Sequence, residues 1–388
     1  MIKTQEENGA ILTLISDAHE SSDFLVLNSS RNSVCSTAWT WNMRIGATDR
    51  NYPYITIGIP TYNRSSLVKR CVENVFAQTY SNIEVLVSDN ASTDDTLRNL
   101  RSIKDKRLCI LMNADNVGAV NNFSRCIREA HGDYLVLLSD DNFWVDPKFL
   151  ERCAHMINSE PDLPVVVAAY DILDIDKFNN NKQRVIPAVL SKKLSTGIWD
   201  GTQVLGEYCH GRLSAGSLSV VVRTDILRAN NHYTTEYHCV HDTATWTPAL
   251  LEGRAGLINE RCATYMIHGS AISVEKTVDE WIADYKKVTD ELYAVAVRKF
   301  PDRDKQLLIK RLALRYLAYQ AMITLVLYRR ANADLIDVVR KFWSWRAILA
   351  QCSWTDFIVV ARLRSLARIL LPDAVSRLLM AVGLDRHV

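Results

Sequence analysis

The sequence predicts an α/β protein with an open, mostly parallel sheet flanked by helices and followed by a helical C-terminal appendage. Between residues 54 and 170, short apolar runs alternate with segments of helical spacing. This alternation is typical of βαβ units and a parallel sheet. From about residue 278 the spacing is helical. A chain of 388 residues is long enough for one large domain and an appendage.

The first half of the chain contains five predicted strands, each a short apolar run that ends at turn or polar residues. They cover residues 55–59, 83–87, 108–112, 134–138 and 165–170. Ser92 to Asp95 has the spacing of a capping box, which predicts a helix from Ser92 to about residue 103. The other helices are expected at 64–78, after a turn at 116–118, and after Asp146-Pro147, since proline suits the first helical turn.

The remaining segments are less regular. Residues 1–51 have no sustained period, and we expect a poorly ordered or accessory leader there. Residues 171–201 are expected to be rich in loops. Further elements are predicted as strands at 214–222, 256–258 and 263–268 and as helices at 225–229 and 241–253.

Composition and charge narrow the classes of function. The net charge is +2, so nothing in the overall charge requires a nucleic-acid partner. The nine cysteines are scattered singly without a CxxC pair, which favours reduced thiols in a cytoplasmic protein over disulfides or a zinc site. We find no signal peptide and no apolar run of the roughly 18 residues that a spanning helix needs.

Polar side chains collect where the predicted strands end. In a parallel sheet these ends share one edge, and ligands bind beyond it. An aromatic ring there can stack on a base, carboxylates can accept from base or ribose, and Mg²⁺ or Mn²⁺ can join carboxylates to a diphosphate. The edge therefore predicts a nucleotide site, formed by Thr61, Tyr62, Asn63, Arg64, Asp89, Asn90, Asn116, Asp140 and Asp141.

Three common site motifs are absent from the sequence. No GxGxxG follows the first predicted strand, and no GxxxxGK[ST] occurs, which disfavours dinucleotide and P-loop sites. No GxSxG elbow of a serine hydrolase is present.

Four motifs in order resemble those of family 2 glycosyltransferases of the GT-A fold. They are Ile59-Pro-Thr-Tyr-Asn-Arg64, Val87-Ser-Asp-Asn-Ala-Ser-Thr-Asp94, Asn116-Val-Gly118 and Leu138-Ser-Asp-Asp-Asn142, and the resemblance covers roughly residues 54–270. It implies transfer of a sugar from a nucleotide-diphosphate donor with inversion at the anomeric carbon. Such an enzyme would be a hexosyl- or deoxyhexosyltransferase.

The resemblance also implies roles for individual residues. Tyr62 is expected near the base, Asp89 at the base or ribose, and Asp140 near the ribose. Asp141 is expected to bind Mg²⁺ or Mn²⁺, and His268 to contact the metal or the diphosphate. Leu138 stands where many members carry a further aspartate. The whole nucleotide-binding set is Pro60, Thr61, Tyr62, Asn63, Arg64, Asp89, Asn116 and Asp140.

Inversion requires a carboxylate that takes the proton of the acceptor hydroxyl. In the family, this group usually belongs to an acidic pair at a helix start, which matches Val240-His-Asp-Thr243 here. We therefore expect Asp242 to be the catalytic base, with His241 in place of the usual glutamate. Glu236 and Asp225 remain as alternatives.

The chain then divides into the leader 1–51, a catalytic domain 52–275 and a helical, basic region 276–388. Residues 52–170 would be the nucleotide-binding half and 171–275 the acceptor-binding half. Residues 308–346 carry eight bases and two acids, so the C-terminal helices are expected either to contact an anionic membrane surface or to pack on the sheet or a second subunit.

The family and the basic tail imply bacterial surface polysaccharide synthesis, such as that of O-antigen, on a saccharide acceptor that is lipid-linked. The reaction would then take place in the cytoplasm at the inner face of the cytoplasmic membrane. A nucleotidyltransferase and a non-catalytic nucleotide-sugar-binding protein are the alternatives.

Overall fold

The computed structural model describes residues 52–176, 182–231, 233–234, 236–267, 277–330 and 344, together with the backbone of three short N-terminal strands. The chain divides into two compact units. The first comprises Met1–Val204, Leu213–Tyr237 and His241–Val274, and the second Leu205–Arg212, His238–Val240 and Glu275–Val388.

The first unit is built on one large sheet. Its strands are β1 Ile2–Glu7, β2 Ala10–Ile15, β3 Phe24–Asn28, β4 Ile55–Thr61, β5 Ile83–Asp89, β6 Leu108–Met112, β7 Tyr134–Leu137, β8 Phe143–Trp144, β9 Val165–Asp176, β10 Lys182–Ile186, β11 Gly197–Asp200, β12 Val220–Arg223 and β13 Arg254–Ile267. Their order is β1-β2-β3-β6-β5-β4-β7-β12-β9-β13-β11, with β10 on β9 and β8 on β13.

The centre of the sheet is parallel. Strand β4 pairs in parallel with β5 and β7, and β5 pairs in parallel with β6. Every residue of β4 and β5 is buried, as expected for strands covered on both faces. The carboxyl ends of these four strands therefore meet at one edge, and the predicted mostly parallel sheet is confirmed.

Directly beyond β7, an antiparallel strand interrupts the parallel order. Strand β12 is antiparallel to both β7 and β9, so β7 and β9 run in the same direction on either side of it. Strand β13 is parallel to β9. The carboxyl ends of β9 and β13 consequently point to the same edge as that of β7.

Helices cover the sheet of the first unit with apolar faces. Helix α1 buries Val68, Cys71, Val72 and Val75 at helical spacing. The helices within the described residues, in order, are α1 Ser65–Phe76, α2 Thr96–Arg101, α3 Ala119–Glu129, α4 Phe149–Ser159, α5 Gly201–Cys209, α6 Thr224–Ala229, α7 His241–Trp246, α8 Val278–Lys299 and α9 Arg303–Arg330.

The structure differs from the predicted elements at both ends of the first unit. The leader contributes three strands, and β3 pairs in parallel with β6, although the sequence predicts no strand within residues 1–51. The two strands predicted at 256–258 and 263–268 are one strand, β13, with register shifts between Ile258 and Ala263. The loop-rich segment 171–201 contains the end of β9, β10 and β11, and helix α5 follows where the sequence predicts none.

Ser92 does not cap a helix. Helix α2 begins at Thr96, and the residue before it, Asp95, makes no side-chain capping bond. The Ser92 hydroxyl instead accepts from the Asn63 amide of the neighbouring loop at 2.9 Å. This bond between loops takes the place of a helix cap. The structure does contain a capping box, at Thr277 and Glu280 in front of α8.

Within the described residues, the second unit comprises helices α8 and α9 and the two short segments Leu205–Arg212 and His238–Val240. Tyr316 of α9 stacks on Tyr208 with ring centres 5.2 Å apart and meets Tyr285 of α8 edge-on. The fully buried Asp284 carboxylate accepts from the backbone amides of His238 and Cys239, each at 2.6 Å. None of the helices that the structure describes combines the length and hydrophobicity needed to cross a membrane.

Gly132 is required where the chain enters β7. Its amide donates to the Thr56 hydroxyl at 2.8 Å, and a Cβ there would lie 2.5 Å from the Thr56 backbone nitrogen. Gly132→Ala is therefore expected to lower the free energy of unfolding by about 1–3 kcal/mol, measured by urea denaturation. Gly206→Ala is the control, because the nearest atom would be 3.9 Å away. An equal effect of both substitutions would contradict this explanation.

Candidate active site

The loops that follow β4 and β5 are bonded to each other at the predicted edge. The Asn63 side-chain oxygen accepts from the Thr93 amide at 2.8 Å, and the Asn63 amide donates to Ser92. Asn63 has a φ of 50°, a left-handed conformation that asparagine tolerates better than most residues. This loop holds Tyr62 with 42% of its surface exposed, available to stack on a ligand.

Asp89 ends strand β5 and is fully buried. One carboxylate oxygen, Oδ2, accepts from the Ser92 amide at 3.0 Å. The other, Oδ1, is buried and has no hydrogen-bond partner among the residues that the structure describes. Since an unsatisfied buried acceptor is costly, it calls for an explanation. A ligand N–H or O–H would supply the missing donor.

Hydrogen bonds among several asparagines hold the end of β5 and the turn before α3 together. Asn90 donates to Asn116 at 2.7 Å and accepts from Asn113 at 3.0 Å. Asn122 on α3 is buried and donates to the Ser88 carbonyl at 2.8 Å. Asn116 also accepts from the Gly118 amide, so its bonds shape the turn, and contact with a nucleotide stays a prediction.

Sequence reasoning misses Asn113 and Asn122. Asn122 occupies a buried position of the amphipathic helix α3, which is the signal available for finding it. Pro60 lies buried within β4, opposite Ser88. Pro60 is therefore part of the strand and not of the loop that follows it. Its contact with a nucleotide also remains a prediction.

Asp140 and Asp141, which follow β7, are both hydrogen-bonded to the guanidinium of Arg64. Both are buried, and Nη1 of Arg64 donates to Asp140 Oδ1 at 2.9 Å and to Asp141 Oδ2 at 3.0 Å. The Thr61 hydroxyl donates to Asp140 Oδ2 at 2.7 Å. The structure thus brings Thr61, Arg64 and both acids together, as the strand ends predicted.

Electrostatics distinguish the groups of this cluster. Burial raises the pKa of Asp140 to about 6 and Asp141 adds to the rise, although Arg64 and Thr61 act against it. Burial alone would lower the pKa of Arg64, but attraction to the two carboxylates outweighs it and raises that pKa. Arg64 is therefore a permanent cation within the cluster.

Strand β13 ends beside the acid pair. The Asn142 side-chain oxygen accepts from the Met266 amide at 2.9 Å. His268 follows two residues later and lies outside the described residues, so its role at the metal or the diphosphate stays a prediction. Within the part of the chain that the structure describes, no group of three or more His, Cys, Asp or Glu side chains could hold a metal. The carboxylate pair itself fits a magnesium or manganese site completed by substrate phosphates.

Asp242 lies in the first turn of α7 and is partly exposed. Desolvation raises the pKa of its carboxyl, against hydrogen bonds from Thr243 and the nearby His241. A raised pKa suits a general base, because proton transfer is most efficient when the pKa approaches the working pH.

His241, next to it, is part of an aromatic stack. Its ring lies 5.5 Å from that of Tyr233, which lies 4.8 Å from Phe123 of α3, and the planes of each pair are nearly parallel. The imidazole in place of the usual glutamate thus packs α7 onto the domain.

A 3₁₀ turn links α7 to the acid pair. The turn Ser217–Ser219 packs against both β7 and α7. The Leu218 carbonyl also accepts from the Trp144 indole at 2.7 Å, two residues after Asn142. This turn therefore connects α7 with the segment that carries Asp141, and the approach of Asp242 to the acid pair stays a prediction.

The alternative bases differ in position. Asp225 is exposed and ion-paired with Arg223, which lies opposite Tyr134 at the start of β7. It is thus at the far edge from Asp141. Glu236 is exposed in the segment that precedes α7.

Comparison with known proteins agrees with this geometry. Residues 56–221 match the family model described as glycosyl transferase family 2. The chain is 28% identical over 225 residues to WfaP of Escherichia coli, a UDP-Glc:alpha-D-GlcNAc-diphosphoundecaprenol beta-1,3-glucosyltransferase, covering 57% of this chain and 80% of WfaP. WfgD of E. coli, described by the same activity, is 25% identical over 224 residues, with the same coverage of 57% and 80%.

Solved structures resemble the fold. The crystal structure of S. aureus TarS 1–349 in complex with UDP-GlcNAc has a TM-score of 0.52 and 16% identity, covering 71% of this chain and 81% of that chain. The UDP complex of the same protein gives a TM-score of 0.53, also at 16% identity, with coverage of 73% and 76%. The predicted fold is confirmed, and residues 56–221 match the model of the predicted family.

Proposed function

We propose, on the basis that this chain belongs to glycosyl transferase family 2 and is a glycosyltransferase, that it transfers a hexosyl or deoxyhexosyl group from a nucleotide-diphosphate donor with inversion. The observation that carries the donor site is the buried Asp89 Oδ1, which has no partner among the described residues. It stands at the edge between the strands that lead to Tyr62 and Asn116.

The nucleoside would be held by three side chains. Asp89 Oδ1 would accept from the imide N–H of a pyrimidine base or from a ribose hydroxyl, and the exposed Tyr62 ring would stack on the base. Asp140 would accept from the ribose. Since WfaP is named as using UDP-Glc and TarS was solved with UDP, UDP-glucose is the first donor to test.

Asp141 would hold a divalent cation, with His268 as a second ligand. Bound Mg²⁺ or Mn²⁺ would neutralise the charge that develops on the leaving diphosphate. The protein contributes two buried carboxylates, which offer hard oxygen ligands where water is largely excluded.

Asp242 would act as the base. The acceptor oxygen attacks the anomeric carbon opposite the diphosphate, the bond from that carbon to the diphosphate oxygen breaks, and the hydroxyl proton passes to the Asp242 carboxylate. One displacement inverts the anomeric centre.

Asp89→Asn is expected to weaken UDP binding roughly 10- to 100-fold, because a hydrogen bond to a charged acceptor contributes about 1.5–3 kcal/mol. Isothermal titration with UDP and Mn²⁺ measures this change. Asp95→Asn is the matched control, since Asp95 forms an exposed pair with Arg98. Equal UDP affinity in wild type and Asp89→Asn would contradict the role of Asp89.

A wider screen tests the function itself. Thermal shifts with UDP, GDP, dTDP and CDP, each with and without Mn²⁺, are expected to show stabilisation by one nucleotide that increases with the metal. If none of these nucleotides shifted the melting temperature, the donor site would be contradicted.

For the acceptor, we propose a lipid-linked saccharide used in bacterial surface polysaccharide synthesis, such as that of O-antigen, at the inner face of the cytoplasmic membrane. The support is the diphosphoundecaprenol named for WfaP and WfgD. We propose that residues 361–388, where Arg362, Arg364, Arg368 and Arg377 stand among leucines, contact the membrane, and this segment lies outside the described residues. Transfer from UDP-glucose to a GlcNAc-diphospho-lipid tests the acceptor, and liposome binding after deletion of 361–388 tests the membrane contact.

A further inference from the structure

Arg64 joins the two acids through a single nitrogen atom. Its Nη1 lies 2.9 Å from Asp140 Oδ1 and 3.0 Å from Asp141 Oδ2. The guanidinium is largely covered, with 21% of the side chain exposed. A cation is therefore built into the place where two buried carboxylates approach each other.

The backbone around Arg64 is held from both sides. The preceding Asn63 is bonded to Ser92 and Thr93, and the following Ser65 amide donates to Asp94 Oδ2 at 3.3 Å. The loop after β5 thus fixes the start of the arginine side chain. The pairing with the acids is consequently a feature of the folded edge rather than a chance surface contact.

The positive charge of Arg64 stabilises the ionised forms of Asp140 and Asp141. Two adjacent buried carboxylates repel each other, and one positive group between them relieves the repulsion. A divalent cation held by Asp141 would bind the same carboxylate that Arg64 contacts through Oδ2. Metal and guanidinium would therefore compete for Asp141.

We propose that Arg64 is the built-in counter-ion of the acid pair, which a divalent cation must displace from Asp141, so that Arg64 sets the metal affinity of the donor site. This inference rests on the proposed metal role of Asp141. Because Nη1 also contacts Asp140, the guanidinium keeps one partner after it loses the other. Arg64 is thus a positioning residue that keeps the empty site neutralised and lowers its affinity for free metal.

The test measures Mn²⁺ binding directly, by electron paramagnetic resonance of the full chain near pH 8 without donor. Arg64→Gln is expected to bind Mn²⁺ at least roughly tenfold more tightly than wild type, because a competing unit charge a few ångströms away has been removed. Arg98→Gln is the control: it removes the same charge from the exposed pair with Asp95, and its Mn²⁺ affinity should equal that of wild type.

Arg64→Lys provides a second variant if the glutamine variant folds poorly. Lysine keeps the charge but lacks the rigid, planar donor group, so its Mn²⁺ affinity should lie between those of wild type and Arg64→Gln. The increase in melting temperature on adding Mn²⁺ should follow the same order.

Mn²⁺ binding distinguishes failure of the counter-ion role of Arg64 from failure of the metal role of Asp141. Equal or weaker Mn²⁺ binding in both Arg64 variants, with clear binding in wild type, would contradict the counter-ion role alone. Absence of Mn²⁺ binding in every variant, even with UDP present, would contradict the metal role of Asp141 and with it the role of Arg64.

Discussion

Replacing Asp242 with asparagine is expected to lower kcat by roughly 10²- to 10⁴-fold, the usual contribution of a positioned general base. Binding of UDP should be unchanged, because the proposed nucleoside contacts come from the loops after β4, β5 and β7. Single-turnover transfer with saturating donor and acceptor measures the chemical step. Asparagine preserves the size of the side chain at the start of α7, so circular dichroism should show no change in the fold.

The pH dependence gives a second readout of the same group. Desolvation raises the pKa of Asp242, and the base must be ionised to accept a proton. Activity should therefore fall as the pH drops through this raised pKa, at a higher pH than for an ordinary aspartate. The acidic limb of the kcat profile should be absent from the residual activity of Asp242→Asn.

Glu236→Gln is the matched control for the base, because Glu236 is the alternative carboxylate in the neighbouring segment and is exposed. It should retain near wild-type kcat. An active Asp242→Asn together with an inactive Glu236→Gln would move the base to Glu236.

Replacing Asp140 with asparagine is expected to stabilise the fold by up to about 3 kcal/mol near pH 8, while weakening donor binding. Burial raises the pKa of Asp140 from 3.8 to about 6. The folded state therefore binds the proton more tightly than the unfolded state, and ionisation of Asp140 opposes folding. This cost is absent below about pH 4, grows between pH 4 and 6, and is complete above pH 6.

Urea unfolding of Asp140→Asn and wild type at pH 4 and pH 8 checks this sign. The variant should be the more stable protein at pH 8 and should lose that advantage at pH 4. Asp225→Asn is the control, since its hydrogen bond from Arg223 lowers the pKa of Asp225 and predicts the opposite sign. A stability gain of Asp140→Asn that did not depend on pH would contradict the explanation.

The central strands could be predicted because each is a short apolar run that stops at polar residues. The predicted strand at 108–112 coincides with β6, and the other three runs define β4, β5 and β7 within a few residues. Their polar ends could be assigned to one edge since parallel strands share direction. The shared direction of the strands therefore predicts that Asp140 and Asp141 lie at the same edge as Thr61 and Arg64.

Other features depend on contacts between distant segments. The β1–β3 strands find their partner in β6, and nothing within residues 1–51 indicates it. In β13, Asn259, Glu260 and Arg261 break the apolar pattern, so the sequence predicts two strands where one bulged strand forms. Ser92 has the spacing of a helix cap, but its hydroxyl accepts from the Asn63 amide, which is distant in sequence. The contact of Arg64 with both acids likewise needs side-chain geometry.

The antiparallel strand β12 lies between β7, which leads to the acid pair, and β9, which begins the predicted acceptor-binding half. Neighbouring strands lie about 4.8 Å apart, so this one inserted strand places the ends of β7 and β9 roughly 10 Å from each other. The segments beyond β9 can consequently change in length and sequence without shifting the strands that end at Asp89 and Asp140. If the segments beyond β9 bind the acceptor, as the sequence predicts, a lineage of such proteins could exchange one acceptor for another while it keeps the same donor site.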